Sequence, residues 1–389
     1  MKTIFNFCAL LFVGVLLAGC SKNSSSRGYE VTAFAFQEEE DGKWGLMDMD
    51  GKVLVKPKFR GDVSVVIGDR FTVTDENNEL TTLYTAEEKP QKIGTYQKVG
   101  IFSGKACPVR DKNGVIRFID KDGNDAFDMK TVSKKKVISA YSFFNGRAMI
   151  HIETNKWGFI DESGEPVIPI KYADAWNFSD GVAVVYLSLP DESSNAKWAV
   201  IDTDGNELFT KKFKDMTPDS YNYVDGLLQV SDKNDRHLLI DKKGETVKKF
   251  KEGQNISEVH GNLIAFYDTD KEYFGLMNME GEMILKEKYE SVNFNGKLLT
   301  ASVENERSYL FDLNGEKICK LPKGFVYLFE PEYKNYGDRF LVGKWGEGYE
   351  LLNGKGEKID TEADIFAYGL NSQWGFDLDD EFYEEEYGD

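Results

Sequence analysis

The stretch from Lys156 to Tyr172 reads KWGFIDESGEPVIPIKY, and the fold of the whole chain depends on the pattern that it contains. Because side chains alternate between the two faces of a strand, Trp157 lies on one face and Gly158 on the other. Asp161 and Gly164 occupy the positions that a type I turn followed by a left-handed residue favours. The stretch therefore predicts a β-hairpin, in which the residues after Gly164 form the return strand.

Weaker copies of this hairpin recur along most of the chain. From residue 123 onward, the glycines that close successive turns are separated by 34 to 41 residues. These turn glycines are Gly51, Gly123, Gly164, Gly205, Gly244, Gly281, Gly315 and Gly356. A recurring length of this size is the signature of a repeat protein, in which neighbouring units must stack to bury their apolar faces. The spacing predicts about nine units.

A second motif lies between the turns and consists of an aromatic residue, a tight turn with glycine and an apolar strand. Its clearest copies are residues 143–150 and 178–185. Each unit therefore contains three strands and a short additional segment that ends in lysine and an aromatic residue. No stretch of helical length shows a clear period of 3.6 residues, and the sequence predicts an all-β fold of tandem antiparallel β-meanders.

The two interleaved motifs resemble those of the WG-repeat family of bacterial proteins. Residues 157–205 match best, and the resemblance extends over roughly residues 30–376. Three units depart from it, because other residues replace Trp-Gly at 116–117, 237–238 and 308–309. The resemblance implies a WG-repeat β domain, which we assign to residues 29–376, and it implies no particular activity.

The size of the units favours a β-propeller-like architecture. About 40 residues with three or four short antiparallel strands is the size of one propeller blade. A strand at 29–36 precedes the first Trp-Gly pair, and a lone Trp-Gly strand at Trp374 ends the array. These two fragments are expected to complete one blade together and so to close a ring. An open β-solenoid is the alternative.

The N-terminus predicts an export signal over residues 1–19. Lys2 supplies a positive charge, and the apolar segment at 4–17 is too short to span a membrane. The sequence Leu-Ala-Gly-Cys that ends at Cys20 resembles the lipobox of bacterial lipoproteins, which implies that a lipid is attached to Cys20. Residues 20–28 then form a polar tether between the lipid and the folded domain.

The lipid implies that the membrane is one partner of the protein and that the protein resides in the cell envelope. The outer membrane is the expected membrane. Residues 22 and 23 lack the acidic cluster that resembles surface-export signals, which favours the periplasmic face. The net charge of −19 repels nucleic acid, so no nucleic-acid partner is expected. Residues 377–389 predict a solvated acidic tail.

No pattern in the sequence predicts a cofactor or a metal centre. The turns at 48–51, 120–123 and 202–205 carry paired aspartates, as calcium loops do. In the other units only the first Asp or Asn and the Gly recur, and the turn itself requires these residues. Cys107 and Cys319 lie in different units and are expected to be buried small residues rather than a disulfide. The histidines are isolated in the sequence, which predicts no catalytic triad.

The Trp-Gly positions are predicted to be packing positions rather than ligand sites. An aromatic residue beside a glycine suits interdigitation, because the glycine leaves room for the ring of a neighbouring unit. The predicted packing residues are Trp44, Gly45, Trp157, Gly158, Trp198, Phe274 and Gly275. A sugar-stacking face formed by the tryptophans is the alternative interpretation.

These observations predict a non-catalytic envelope lipoprotein whose WG-repeat scaffold binds a protein or glycan partner. One alternative is a carbohydrate-active envelope hydrolase with acidic catalytic residues. Another is a structural component of an envelope complex. Because the most regular positions are those that the scaffold requires, any functional site is expected where the units differ.

Overall fold

The computed structural model describes residues 29–77, 80–190, 195–295, 298–303, 307–327, 333–334, 339–344 and 346–369. The predicted signal peptide, tether and acidic tail lie outside these residues, as do Cys20 and Trp374. Within them the chain forms 36 strands and one helical turn, α1 (Met129–Val132). No helix in this part of the chain is long and apolar enough to cross a membrane.

Within the described residues the strands form eight sheets, and the first of these contains two successive meanders that are joined by the pairing of β1 with β5. We number the meanders in chain order as units 1 to 9, so units 1 and 2 share one sheet. Their bounds are, in unit 1, β1 (Tyr29–Gln37), β2 (Trp44–Asp48) and β3 (Val53–Phe59); in unit 2, β4 (Asp62–Val63), β5 (Val66–Ile67), β6 (Arg70–Thr74), β7 (Thr81–Thr85) and β8 (Lys92–Tyr96); in unit 3, β9 (Lys98–Val99), β10 (Cys107–Arg110) and β11 (Ile116–Ile119); in unit 4, β12 (Val137–Phe144), β13 (Arg147–Ile152), β14 (Lys156–Ile160) and β15 (Ile168–Tyr172); in unit 5, β16 (Asp174–Ala175), β17 (Val182–Tyr186), β18 (Lys197–Asp202) and β19 (Glu207–Lys212).

The second half of the array continues in the same way. The bounds are, in unit 6, β20 (Met216–Pro218), β21 (Leu228–Asp232), β22 (His237–Ile240) and β23 (Thr246–Lys249); in unit 7, β24 (Gln254–His260), β25 (Leu263–Asp268), β26 (Tyr273–Asn278) and β27 (Met283–Tyr289); in unit 8, β28 (Ser291–Asn295), β29 (Leu298–Val303), β30 (Arg307–Asp312) and β31 (Lys317–Lys320); in unit 9, β32 (Phe325–Tyr327), β33 (Tyr333–Lys334), β34 (Phe340–Lys344) and β35 (Gly348–Leu352). Strand β33 lies within unit 9 in the chain but pairs in parallel with β1 of unit 1. The last strand, β36 (Ala367–Gly369), also returns to β1.

Each complete unit has an inner and an outer edge. In units 4 to 8 the strand order in the sheet follows the order in the chain. The two middle strands are buried, as in β14 and β18, whereas the fourth strands β19, β23 and β31 are largely exposed and form the outer edge. The first strands of neighbouring units are linked by hydrogen bonds. For example, the Phe294 N–H in β28 donates to the Glu258 carboxylate in β24. These first strands therefore form the inner edge.

The hydrophobic core lies between the sheets. Trp157 and Phe159 pack against residues of unit 5, while Ile160, on the opposite face of β14, packs with Phe118 of unit 3. Phe159, Ile160 and Phe118 are completely buried. Because each sheet buries both faces against its neighbours, a single unit cannot form a core alone. This packing is the physical reason for the repeated sequence.

The turn glycines form a second contact between neighbouring units. A Cβ at Gly205 would lie 3.3 Å from Ile168 on the outer strand of unit 4, and one at Gly244 would lie 2.8 Å from Phe209 of unit 5. Gly356 in unit 9 approaches Cys319 of unit 8 in the same way. The turn glycine is therefore required by the positive φ of the turn and also by the close approach of the preceding unit.

The same contact joins unit 9 to unit 1. A Cβ at Gly51 would lie 2.9 Å from the carbonyl oxygen of Asp360, which follows unit 9. The Glu362 N–H donates to the Gly51 carbonyl (2.8 Å), and the Glu362 carboxylate accepts the Val53 N–H (2.9 Å). Strand β36 then pairs antiparallel with β1, with Phe36 opposite Tyr368.

The array is therefore a closed ring of antiparallel meanders, as in a β-propeller. The predictions of an all-β fold and of tandem meanders are confirmed, and an open solenoid is not observed. Cys107 is buried and Cys319 partly buried, and both are free thiols, as expected. Burial raises the pKa of the Cys107 thiol well above its usual value.

Candidate functional site

The Trp-Gly pairs mark a bulge in the outer strand. In unit 4, Trp157 lies opposite Tyr172 and Phe159 lies opposite Ile168, so two steps along β14 correspond to four along β15. Units 1 and 7, which carry Trp44-Gly45 and Phe274-Gly275, show the same shift. Unit 5 carries Ala199 instead of glycine, and its ladder is regular at this point. The glycine and the bulge therefore occur together.

The bulge explains why these positions require glycine. A Cβ at Gly158 would lie 2.6 Å from the Cα of Ile170, and one at Gly45 would lie 2.5 Å from the Val55 carbonyl oxygen. At Gly275 it would meet Phe266 and Glu287, which belong to the same unit. The sequence prediction assigned this space to a ring of the neighbouring unit. The structure instead fills it largely with the outer strand of the same unit.

The aromatic residues at these positions lie in separate clusters, each between two units. Trp157 packs at the junction of units 4 and 5 and stacks on His151 with 4.1 Å between the ring centroids. Trp198 is completely buried between units 5 and 6 and donates its indole N–H to the Met216 carbonyl (2.7 Å). Trp44 and Phe274 are partly buried at the junctions of units 1 and 2 and of units 7 and 8. These rings do not form one common face.

The Asp-x-x-Gly turns use the aspartate to hold the turn itself. One carboxylate oxygen of Asp161 accepts the N–H groups of Ser163 (2.9 Å) and Glu165 (3.0 Å). Burial raises the pKa of Asp161, but the hydrogen bonds outweigh this effect and hold the pKa below its usual value. Gly164 has a φ of +85°. The predicted turn is confirmed, and its carboxylate is oriented toward backbone donors.

Unit 6 replaces Trp-Gly by His237-Leu238 and brings three polar side chains together. Asp219 Oδ2 lies 2.9 Å from His237 Nδ1 and 2.9 Å from Ser231 Oγ, and Ser231 Oγ lies 3.3 Å from the same ring nitrogen. In a catalytic triad the aspartate and the serine meet opposite nitrogens of the ring. Here both meet Nδ1, so this geometry does not activate Ser231 as a nucleophile. The sequence analysis missed this cluster, although the loss of Trp-Gly marked its position.

A cavity of about 430 Å³ opens between units 1 and 2. It lies where three connections meet: the loop between β1 and β2, the link between β3 and β4, and the segment that follows β6. Its lining residues are Gln37, Asp41, Gly42, Trp44, Arg60, Gly61, Asp62, Asp75 and Glu76. This volume is within the range of small-ligand sites. The sequence analysis did not identify this cavity, because its residues come from three separate loops.

Short-range contacts hold the walls of this cavity in place. Gln37 donates its side-chain N–H to the Gly42 carbonyl (2.6 Å), and Gly42 donates its N–H to the Glu39 carbonyl (3.1 Å). Gly61 has a φ of +87°, and a Cβ there would collide with the Thr74 carbonyl oxygen. Any other residue at this position would displace the neighbouring strand. The cavity is therefore formed by the fold before any ligand arrives.

Trp44 forms the aromatic part of the wall. It is partly buried, and it packs against the hydrophobic cluster that joins units 1 and 2. Its ring carbon Cζ3 lies 3.5 Å from where a Cβ of Gly369 would be, so the ring also touches the strand that closes the array. A residue that the sequence analysis assigned to packing therefore packs and also lines the cavity.

The cavity has an excess of negative charge. Four carboxyl groups line it, from Asp41, Asp62, Asp75 and Glu76, together with the single guanidinium of Arg60. Among the described residues, no three His, Cys, Asp or Glu side chains come close enough together to hold a metal ion. Carboxylates, a guanidinium, an amide and an aromatic ring are groups that bind and orient a polar ligand.

The family profile described as WG containing repeat matches residues 44–60 and 157–187. These segments include the Trp-Gly strands and the bulged outer strands of units 1 and 4. The chain therefore contains WG-type repeats at both places. No relative of the chain is found among curated proteins.

Several solved structures resemble the fold. A eukaryotic initiation factor matches with a TM-score of 0.55 at 11% identity, over 87% of this chain and 97% of that chain. The dihydro-heme d1 dehydrogenase NirN, in complex with DHE, matches with a TM-score of 0.42 at 10% identity, over 89% of this chain and 76% of that chain. BamB from Moraxella catarrhalis matches with a TM-score of 0.37 at 12% identity, over 76% and 92%. At such identities the likeness to the initiation factor concerns the fold alone.

Proposed function

We propose that the chain is a non-catalytic binding protein of the bacterial cell envelope. The ring of WG-type units is the scaffold, and the cavity between units 1 and 2 binds a protein or glycan partner. The observation that carries this proposal is the cavity itself, which three irregular loops form beside Trp44. It agrees with the principle that binding residues lie on loops held by a rigid scaffold.

The proposed anchor is a lipid on Cys20. Its support is the Leu-Ala-Gly-Cys sequence and the polar residues that follow it. Such an anchor holds the ring at a membrane without a transmembrane helix. The proposed location is the periplasmic face of the outer membrane. Substitution of Cys20 by alanine is expected to move the protein from the membrane fraction to the soluble fraction, and retention in the membrane would refute the anchor.

The binding proposal is tested by capture from an envelope extract with a matched pair of variants. Asp62→Asn with Glu76→Gln removes two charges from the cavity. Asp215→Asn with Glu252→Gln removes two charges from exposed connections elsewhere in the ring. We expect the wild type and the second variant to enrich the same protein or glycan, and the cavity variant to lose it. Equal recovery by all three proteins would place the partner elsewhere and contradict the proposal.

A carbohydrate-active hydrolase is the second candidate, and the four carboxyl groups of the cavity favour it. Glycosidases act with two carboxyl groups on either side of the scissile bond. If the cavity is such a site, Glu76→Gln or Asp62→Asn should abolish hydrolysis of chromogenic glycosides by the purified protein. Absence of hydrolysis by the wild type over a broad set of such substrates would support the non-catalytic function instead.

A further inference from the structure

We propose that the cavity between units 1 and 2 binds an organic cation, namely an ammonium or guanidinium group on a free amine or on a basic side chain of a peptide. This inference rests on the proposed function, because it names the ligand class of the same site. This ligand class is supported by the charge of the cavity wall, by the ring of Trp44, and by the carboxylates of Asp41, Asp62 and Glu76, which form no ion pair within the described part of the chain.

The charge of the cavity wall selects for a cation. Four carboxyl groups and one guanidinium group, that of Arg60, line the cavity. The loop that contributes Asp41 adds three exposed carboxylates, at residues 38–40. A concave site lined by one sign of charge concentrates the field and attracts ligands of the opposite sign. An anionic ligand would meet net repulsion at this site, because four carboxyl groups outnumber the single guanidinium group.

Three carboxylates of the cavity form no ion pair with the described residues of the protein, whereas some aspartates elsewhere in the ring do. Asp50 pairs with Arg339 at 3.1 Å, and Asp232 pairs with Arg236 at 2.6 Å. Within the part of the chain that the structure describes, Asp41, Asp62 and Glu76 form no ion pair, and neither does Arg60. Three negative groups around one cavity are thus left without a cation of the protein itself, and a ligand cation would supply the missing charge.

Trp44 and the spacing of the carboxylates favour an organic cation over a metal ion. Calcium or magnesium requires several oxygens around one point, but no three carboxylates of the described residues are close enough to hold a metal ion. An aromatic face attracts ammonium and guanidinium groups through its quadrupole, and it offers nothing to a hydrated metal ion. A cavity of about 430 Å³ also exceeds what a bare ion fills.

The test is a calorimetric titration of the full protein with three probes. The first is Nα-acetyl-lysine methylamide, the second is the same compound acetylated on its side-chain amine, and the third is spermidine. We expect the lysine probe and spermidine to bind, and acetylation to weaken binding about tenfold or more because it removes the charge. Higher ionic strength should weaken the binding of both amines. Binding of the acetylated probe as tight as that of the lysine probe would overturn the proposal.

The matched double variants locate the binding. Asp62→Asn with Glu76→Gln should weaken the binding of the lysine probe about tenfold, while Asp215→Asn with Glu252→Gln should change it less than about twofold. Equal effects of the two variants would show that the amine responds to net charge only, which contradicts a site. Thermal unfolding of both variants identifies any loss of fold, and Asp41→Asn then serves as an independent variant of the same wall.

Two further outcomes separate this inference from the proposed function. If a neutral chitotriose probe binds and is lost in the cavity variant while both amines fail, the cavity is a glycan site, and only the cationic ligand is refuted. If no probe binds but the cavity variant still loses the captured envelope partner, the proposed function stands and this inference fails. A preference of spermidine over the lysine probe indicates a free polyamine, and the reverse preference indicates a basic peptide.

Discussion

Gly158 shows how one atom decides the shape of a unit. The Cα of Ile170 lies where a β-carbon of residue 158 would need space, at 2.6 Å. The outer strand can bulge there only because glycine has no side chain. Unit 5, with Ala199 at the equivalent position, pairs its strands in regular register from Lys197 to Val200. In the Trp-Gly pair the glycine therefore permits a bulged outer strand, and the tryptophan packs at the junction with the next unit.

We predict that Gly158→Ala lowers the free energy of unfolding by about 1 to 3 kcal/mol, the usual range for overpacking against a backbone that cannot move away. The reverse change at the regular position, Ala199→Gly, should cost about 1 to 2 kcal/mol, because it adds backbone freedom to the unfolded chain and removes a completely buried methyl group. Chemical denaturation of both variants provides the comparison. A Gly158→Ala variant as stable as the wild type would show that the outer strand shifts freely.

Glu258 provides a pH-dependent contact on the inner edge. Burial raises the pKa of this carboxyl group to about 7, although the N–H of Phe294, which donates to it at 3.1 Å, acts in the opposite direction. The folded protein therefore holds this proton more tightly than the unfolded chain, whose Glu has a pKa of 4.5. The stability that this group contributes is full below about pH 4.5 and is lost as the pH rises to about 7.

We predict that Glu258→Gln removes this part of the pH dependence. The effect is at most about 3 kcal/mol between pH 4.5 and 7, and it is reduced by solvent because the side chain is only half-buried. Thermal unfolding of wild type and variant over this pH range, expressed as a difference, isolates the contribution of residue 258. A difference that does not change with pH would contradict the raised pKa.

At the scale of the element, the Asp-x-x-Gly turn is the most regular part of each unit. Units 7 and 9 replace the aspartate by Asn278 and Asn353. The amide oxygen of Asn353 accepts both of the equivalent backbone N–H groups (2.9 and 3.0 Å), and that of Asn278 accepts the second one, from Glu282 (2.8 Å). A neutral acceptor therefore performs the same task as the carboxylate. The first residue of the turn must therefore supply an oxygen acceptor in each of these units, but it need not carry a negative charge.

We predict that Asp161→Ala lowers the free energy of unfolding by about 1 to 2 kcal/mol, because it leaves two backbone donors of the turn without their acceptor. Asp161→Asn should cost less than about 0.5 kcal/mol, as the turns of units 7 and 9 imply. Denaturant titration of both variants tests this order. Equal losses would mean that the charge itself stabilises the turn.

The turns could be predicted from the sequence because their requirements are local. Asp161 and Gly164 are three residues apart, and their spacing alone defines the hairpin. The bulge opposite Gly158 could not be predicted, because it depends on how closely a second strand approaches. The site was missed for the same reason: its walls come from loops around Asp41, Arg60 and Asp75, whose proximity only the stacked units produce.

At the scale of the whole molecule, unit 1 holds the ring together. It receives β36 from the end of the described chain, and it accepts at Gly51 the segment that follows unit 9. On its other side it forms the cavity with unit 2. Trp44 touches both the cavity and the closing strand, so the geometry of the proposed binding site depends on closure of the ring.

We predict that loss of the closing contacts weakens the cavity as well as the fold. Glu362→Ala removes the acceptor of the Val53 N–H, and Arg339→Ala removes the hydrogen bond to the Met49 carbonyl. The double variant should unfold at lower denaturant concentration and should bind the lysine probe more weakly than the wild type. The control is the double variant Asp215→Asn with Glu252→Gln, because these two residues take no part in closure. If the closure variant is clearly less stable but binds the lysine probe as tightly as the wild type, the cavity does not depend on closure of the ring, and the prediction is wrong.

The radius of gyration of the protein without residues 1–28, measured by small-angle X-ray scattering, tests most directly whether the units close into a ring. A compact chain of this length has a radius of gyration of about 20 to 22 Å. Nine units stacked about 10 Å apart in an open array would give about 27 Å. We predict the smaller value, and a value near the larger one would contradict the closed ring and with it the site that unit 1 forms.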